Sequence, residues 1–441
     1  MIILADQINN YSDKLIESIK NCQFDCPAIS VLYDGFHPEG VESPYSYYIG
    51  DYKAEGKPLF FSRLERPSHQ EIKSDAGNAI IYENNTIRSR VYYAEPKEKR
   101  FIRIVDEVDE AGKVRWSDHF NRFGRCFART TLNNEKMLFK TYFDQDGKEK
   151  IVENFATGHI ILKKDKNEVF FKSKTDFVIY YLKERGFDLD RILYNSLSTP
   201  FFVSEKLQQQ GIPGNDVLFW QEGIRDDIPQ NMKNIFNNKD CRTKKIAVMY
   251  RRVFERMESL NLDKGKYGLL GYHYDFKKEN TGKKEAVIFT NSDDVENLED
   301  IIKALPDFMI HVAAVTEMSN KLLALDRYEN VRLYPNVRQK RIDELFEQCD
   351  FLLDINRGKE ILGAGERGFL HNHLILTFKD VMHNDQVVAE SLRFKAGDYE
   401  SLTETLKKAA EDEEIRKDLI RQQHEQAMSE SKESYTEFLK I

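Results

Sequence analysis

Glu366 is the residue of this chain best placed by type and surroundings to do chemistry. It lies in "DINRGKEILGAGERGFLHNHLILTF", residues 354–378, where an apolar strand meets a Gly-rich turn, a short helix and a second apolar strand. Arg357 precedes the turn, and His371 and His373 follow it, alternating on a segment read as extended. A carboxylate, a guanidinium and two imidazoles at a strand end suit a polar ligand. Two imidazoles without a third ligand do not make a zinc site, so no metal is expected. Two readings stand side by side. The segment is a strand–turn–helix–strand kept for the fold, or Glu366, Arg357 and the His pair hold a ligand in a crevice.

Other chemical groups carry less. Asp144-x-Asp146-Gly147 resembles part of a calcium loop, but Lys148 follows and no Glu closes it, so it reads as a hairpin turn. The five cysteines, at 22, 26, 126, 241 and 349, lack His or Cys companions at zinc or nucleophile spacing and read as reduced thiols. A formal charge of -8 argues against a general nucleic-acid binder. "MIILADQINNYSDKL" starts as a buried strand, without the basic start and long apolar run of a signal peptide. With no apolar stretch long enough to span a bilayer, a cytoplasmic protein is expected, peripheral at the inner membrane face at most.

The positioning elements follow from periodicity. "MIILAD", "NYSDKLIESIKNC" and "AISVLYD" read β-α-β, implying a parallel sheet with a crevice at its carboxyl edge. From about 53 to 175 short aromatic and β-branched runs alternate with turns such as Glu83-Asn84-Asn85 and Glu110-Ala111-Gly112, which predicts an inserted antiparallel sheet. The α/β rhythm then resumes, with a polar stretch near 237–245 suggesting a boundary. The expected organisation is an N-terminal Rossmann-like domain (1–52 and 176–240), the insert (53–175), a C-terminal Rossmann-like domain (241–395) and a charged helical segment (396–441). Two such halves facing across a cleft are the GT-B architecture. Strand ends offer Asn9, Asn10, Trp220, Gln221, Glu222 and Asn291 as ligand groups. Trp220 reads either as core or as a sugar-stacking platform.

"ENVRLYPNVRQKRIDELFEQCDFLLDIN", 329–356, resembles the donor domain of retaining glycosyltransferases, and Glu366 with "RGFLHNHLIL" fits the pattern closing their acid-bearing turn. The resemblance implies an Arg and a Lys after the first strand of that domain to stabilise the departing nucleoside diphosphate, and a second acid eight residues before Glu366. Here Asn291 and Glu296 stand at the Arg and Lys positions, Asp293 and Asp294 lie between them, and Gly358 replaces the acid. Carboxylates repel a diphosphate. These departures read as a degenerate donor site made of Asn291, Glu296, Gly358 and Glu366.

End to end, the chain resembles the accessory-Sec glycosyltransferase-stabilising proteins of Gram-positive bacteria, the GtfB type. The start, the insert with "VRWSDHFN" and the degenerate turn carry the match. The resemblance implies a non-catalytic subunit without a cofactor. Its implied partner is a GtfA-type transferase that moves N-acetylglucosamine from UDP-GlcNAc to Ser/Thr of serine-rich repeat adhesins before export. It further implies adhesin binding in the unmodified and modified states and a hetero-oligomer, 2+2 in one form. The insert is the implied association surface, with Tyr92, Tyr93, Trp116 and Phe143 as its aromatics. The alternative is an active retaining GT-B transferase with an altered donor site.

Overall fold

The computed structural model describes residues 1–75, 77–164, 167–224 and 226–440. Ile441, the last residue of the expected closing segment, and residues 76, 165 and 166 of the insert lie outside them. Three sheets organise the chain.

The first sheet has seven strands, all parallel. Across the sheet they run Tyr267–Leu269, Thr243–Val248, Asp216–Trp220, Ile192–Tyr194, Ile2–Ala5, Ala28–Ser30 and Val41–Glu42. Read outward from Ile2–Ala5, this is the doubly wound order, and the winding reverses between Ile2–Ala5 and Ile192–Tyr194. The apolar runs IILA, ILY and DVLFW are buried throughout, as strands covered on both faces must be.

A buried ion pair ties the amino ends of this sheet together. Arg242 donates through Nε and Nη2 to the two Asp216 carboxylate oxygens at 2.9 Å, and Asp216 also accepts from Ser204 Oγ at 2.6 Å and from the Ile192 amide at 2.9 Å. The guanidinium further caps the carbonyls of Leu189, Ile212 and Pro213. Gly214 leaves room for it, since a Cβ there would overlap the guanidinium.

The second sheet is a ten-stranded antiparallel meander from Gln70–Ser74 to Asn167–Phe171, each strand paired with its neighbours in sequence. Asp144 forms a turn, its carboxylate accepting the amides of Asp146 and Lys148, which is the hairpin expected there. One face, carrying Ala128, Tyr142, Ile151, Ile160 and Leu162, packs with Tyr33, Tyr45 and Phe177 of the first α/β layer. The Tyr45 and Tyr142 rings stack there with centroids 4.5 Å apart.

The third sheet has six parallel strands: Val331–Tyr334, Met309–Ala314, Glu285–Thr290, Phe351–Asp354, Leu374–Phe378 and Arg393–Phe394. It too follows the doubly wound order, with its switch between Glu285–Thr290 and Phe351–Asp354. The closing helices Tyr399–Glu411 and Glu413–Gln426 pack on it, where Gln423 accepts the Ile375 amide and donates to the His373 carbonyl.

Two compact units result. One holds residues 1–16 and 23–269 with the insert, and the other holds 17–22 and 270–440. The composition break near 240 is therefore not where the fold divides. The segment after it completes the first sheet through Thr243–Val248 and Tyr267–Leu269, because the buried Ile246–Ala247–Val248 run pairs with Asp216–Trp220 and outweighs a polar connecting loop.

Candidate functional site

In doubly wound sheets ligands bind outside the carboxyl ends of the strands at the switch point, so each unit has one geometrically favoured place. In the second unit it is the meeting of the loops after Thr290 and Asp354. The loops zip together: the Glu296 amide donates to Ile355 O at 2.9 Å, and the Arg357 amide to Asp294 O at 3.0 Å. Asn356 is buried, and its Oδ1 accepts Thr290 Oγ1 at 2.9 Å and the Gly358 amide at 3.1 Å.

Gly358 is hemmed in. A Cβ on it would overlap Asn291 Oδ1 and lie 3.1–3.2 Å from the Asn356 amide group. Asn291 is exposed and can swing aside, but Asn356 is anchored. The place of a second acid is thus occupied by amides.

The arginine of this turn is already engaged, and Lys359 beside Gly358 is exposed. Arg357 binds Glu296 through Nε at 2.6 Å and Asp380 through Nη2 at 2.8 Å. Sequence reasoning missed His383. Its ring bridges Asp354 Oδ1, at 2.6 Å from Nδ1, and the Gly358 carbonyl, at 2.7 Å from Nε2. The bond to Asp354 raises its pKa to about 9, aided by the Gly358 carbonyl, so it is an imidazolium at neutral pH. That charge faces a carboxylate and a carbonyl of its own turn. Nothing in "DVMHND" announces this, since His383 reaches Asp354 only when adjacent parallel strands align.

Glu366 sits half-buried in the helix Ala364–Leu370. His371 and His373 do not join it. The helix after a parallel strand returns the chain to the amino edge, so both histidines precede Leu374–Phe378 on the side opposite Asn291 and Gly358. His371 Nδ1 pairs with the Arg367 carbonyl at 2.7 Å, and His373 is buried with Nε2 on Phe346 O at 2.7 Å. Burial lowers the His373 pKa to about 3.

Among the described residues, Glu285, His311 and Cys349 bring possible metal-ligand atoms within 4.8 Å of one another. Glu285 is held by Lys283 at 2.8 Å and by Gln348, while His311 Nδ1 meets Tyr334 Oη at 2.9 Å. The donors already serve a hydrogen-bond network beside a lysine, which is poor ground for a cation.

In the first unit the switch point joins Asp6, Asn195 and Gln221. Asn195 Oδ1 accepts the Asp6 amide at 3.1 Å, its Nδ2 donates to Gln221 Oε1 at 3.1 Å, and Gln221 Nε2 donates to Tyr11 O at 2.8 Å. Burial raises the Asp6 pKa. Asn195 was not anticipated, because an Asn after a short strand reads as an ordinary turn residue. Asn9 caps the following helix, accepting the Tyr11 and Ser12 amides at 3.0 Å, and Asn10 and Glu222, which follow Asn9 and Gln221 in the chain, are exposed. Trp220 is 2 % exposed in the apolar core, so its indole is packing and not a platform.

The insert aromatics divide. Register places Tyr92 on the face shared by Ile104, His119, Ala128 and Tyr142, whereas Trp116 shares the opposite face with Glu107, Thr131 and Phe139. Tyr93 is buried, with its hydroxyl 2.8 Å from Ser74 Oγ, and is not available to a partner. Phe143 is half-buried. The face carrying Trp116 also exposes Phe139 and, through Thr141, Val152 and Ile161, Phe170. Trp116 is stacked by Arg129 at 5.3 Å.

Comparison with known proteins accounts for most of the chain. Family models described as the GtfB N-terminal, middle and third domains match residues 2–48, 70–172 and 174–260, and a GftB/GlyA-F C-terminal domain model matches 286–423. The UDP-N-acetylglucosamine–peptide N-acetylglucosaminyltransferase stabilizing protein GtfB of Streptococcus agalactiae is 40% identical over 442 residues, 100% of this chain and 99% of that protein. The protein of the same name from Streptococcus gordonii is 38% identical, covering 93% and 91%. A chain in the crystal structure of a GtfA/B complex bound to UDP and GlcNAc superposes with a TM-score of 0.90 at 37% identity, covering 100% and 99%. Paired doubly wound sheets with an antiparallel insert are the GT-B-like glycosyltransferase fold of that neighbour. With sequence identity of this level along its whole length, the chain belongs to the GtfB family of peptide N-acetylglucosaminyltransferase stabilising proteins.

Proposed function

We propose that this chain is the non-catalytic, stabilising subunit of a peptide N-acetylglucosaminyltransferase, working with a GtfA-type catalytic partner. The observation that carries this reading is the switch point of the second unit. Its acid position is a hemmed-in glycine, its phosphate positions hold Asn291 and Glu296, and its arginine is held by two carboxylates. A departing diphosphate is stabilised by cations at those two positions, which an amide and a carboxylate do not supply, and the end-to-end likeness to stabilising proteins agrees.

In this reading the chain holds the polypeptide acceptor, a serine-rich repeat adhesin in unmodified and partly glycosylated forms, before its export by the accessory Sec route. Asn9, Asn10, Gln221, Glu222, Asn291, Arg357 and Glu366 stand as its polar contacts. The partner docks on the insert, and the Trp116–Phe139–Phe170 face supplies an apolar patch of the kind interfaces use. The assembly is a 2+2 hetero-oligomer in the cytoplasm, peripheral at the membrane. No helix among the described residues is long and apolar enough to cross one.

The test is calorimetry of the purified chain with UDP, followed by transfer assays. The chain alone gives no saturable heat at millimolar UDP and no UDP-GlcNAc turnover. Co-purified with its transferase it supports glycosylation of a Ser-rich peptide. Turnover by the chain alone, lost in Glu366→Gln, would overturn the proposal.

A further inference from the structure

The insert and the first parallel sheet enclose a cavity of about 320 Å³, lined by groups from four parts of the chain. Gln7 and Ile8 follow the first strand, and Leu32, Tyr33, Asp34 and His37 follow the second. Arg103, His119, Lys140, Tyr142 and Glu153 come from the inner face of the insert, and Lys174 from the helix after it. It therefore opens at the carboxyl edge of a doubly wound sheet, where such folds take ligands, although none of the sequence-derived candidates lies in it.

The charges around the cavity do not balance. Arg103 binds Asp34 at 2.9 Å, and Lys174 binds Glu153 at 2.9 Å, while Tyr45 Oη donates to the other Glu153 oxygen at 3.2 Å. Lys140 makes no hydrogen bond or ion pair among the described residues. Its ammonium lies 5.1 Å from the Tyr142 ring centroid and 5.9 Å from that of Phe127. Among the groups that line the cavity, two paired cations, two paired acids and one unpaired ammonium sum to +1, and Asp6, next to Gln7 and in the field of Lys174, lies just outside that lining. The histidines add nothing, because burial holds His119 near pKa 3 and His37 near 4. His37 also leaves Nδ1 buried without a partner.

Lys140 is half-buried, and an ammonium that faces a cavity without a counter-ion is a ready partner for an anion. We propose that this cavity binds a single carboxylate group, with the Lys140 ammonium as its counter-charge. One spare positive charge matches a monoanion, whereas a phosphate dianion would meet Asp34 and Glu153 without compensation. The aromatic walls of Tyr33, Tyr142 and Phe155 accept the apolar part of the ligand. The volume equals about ten waters' share of the liquid, enough for an amino-acid-sized acid and more than acetate needs.

The site carries its own pH signature. Burial lowers the Lys140 pKa to about 8, against the opposing pull of Glu153 on the neighbouring strand and Asp34 on the loop after the second strand, with Lys174 and Arg103 adding to the lowering. Only the protonated amine binds an anion, so affinity falls as pH rises through 8, about tenfold between pH 7 and 9.

Calorimetry on the full chain tests this with N-acetyl-aspartate N-methylamide, its asparagine counterpart, acetate and inorganic phosphate. The aspartate probe binds saturably at pH 7 and the asparagine probe at least tenfold more weakly. Lys140→Met loses at least tenfold in affinity for the aspartate probe. Lys140→Arg keeps it within about threefold and no longer weakens between pH 7 and 9. Acetate binding as tightly as the aspartate probe assigns the site to free acids, and weaker acetate binding assigns it to an acid carried on a larger molecule; either supports the proposal. No saturable binding of a carboxylate overturns it. So does unchanged affinity in a Lys140→Met chain with native circular dichroism, or phosphate binding tenfold tighter than the carboxylates.

Discussion

At the scale of single residues, the second switch point is a turn filled by its own amides and ion pairs. Returning an acid to the turn does not return the site, because Asn356 has taken the space and Arg357 is neutralised on both sides. Gly358→Glu is expected to cost about 1–3 kcal/mol of stability through overpacking against Asn356. It is also expected to gain no UDP binding, and urea unfolding with calorimetry checks both. His383 gives the same turn a pH dependence. Its pKa rises on folding from the usual 6.5 to about 9, so its contribution is complete below about pH 6.5 and is lost as pH climbs through 9. Urea midpoints at pH 6, 7.5 and 9.5 are expected to fall across that window in the native chain. The fall should be shallower in His383→Gln, which starts lower at pH 6.

At the scale of elements, short buried strands need ties at their ends, and the first sheet has one in Arg242 and Asp216. Their side chains are 1% and 0% exposed, so either alone would be an uncompensated buried charge. Asp216→Asn is expected to destabilise the chain by about 3–5 kcal/mol, read by equilibrium unfolding. The insert poses a different problem, because a ten-stranded meander packs one face on the α/β layer and must manage the other. At one end Leu59, Phe61 and Leu64 cover that outer face, packing on Ile81, Val91 and Val105. Farther along, Trp116, Phe139 and Phe170 stay exposed. A Trp116→Asp/Phe139→Asp double variant is expected to lower affinity for the GtfA-type partner at least tenfold. Its melting temperature should match the native chain within about 2 °C. Pull-down titration and calorimetry separate the two effects, since loss of both would mean the face is structural.

At the scale of the whole molecule, two doubly wound sheets each offer a place for a ligand at the winding reversal, and the two places have diverged in charge. The second carries Asp293, Asp294, Glu296 and Asp380 beside an engaged Arg357 and an exposed Lys359, whereas the first opens beside a cavity lined by Lys140. The proposed division of labour follows: the partner handles the diphosphate and this chain handles a polypeptide.

Much of this was legible in the residues themselves. Buried runs such as IILA and DVLFW dictated parallel strands, and the recurring turn residues dictated the meander. These features are local, set by side-chain period, turn chemistry and residue identity within a few positions. Only the tertiary structure could decide which groups meet. Strand direction sent His371 and His373 to the far edge of their sheet, and register put Tyr92 and Trp116 on opposite faces. Strand pairing carried the stretch after 240 into the first sheet, brought His383 to Asp354, and left Lys140 unpaired beside the first two strands. Each depends on contacts between residues distant in sequence, where packing and hydrogen-bond geometry, not local preference, determine the neighbour.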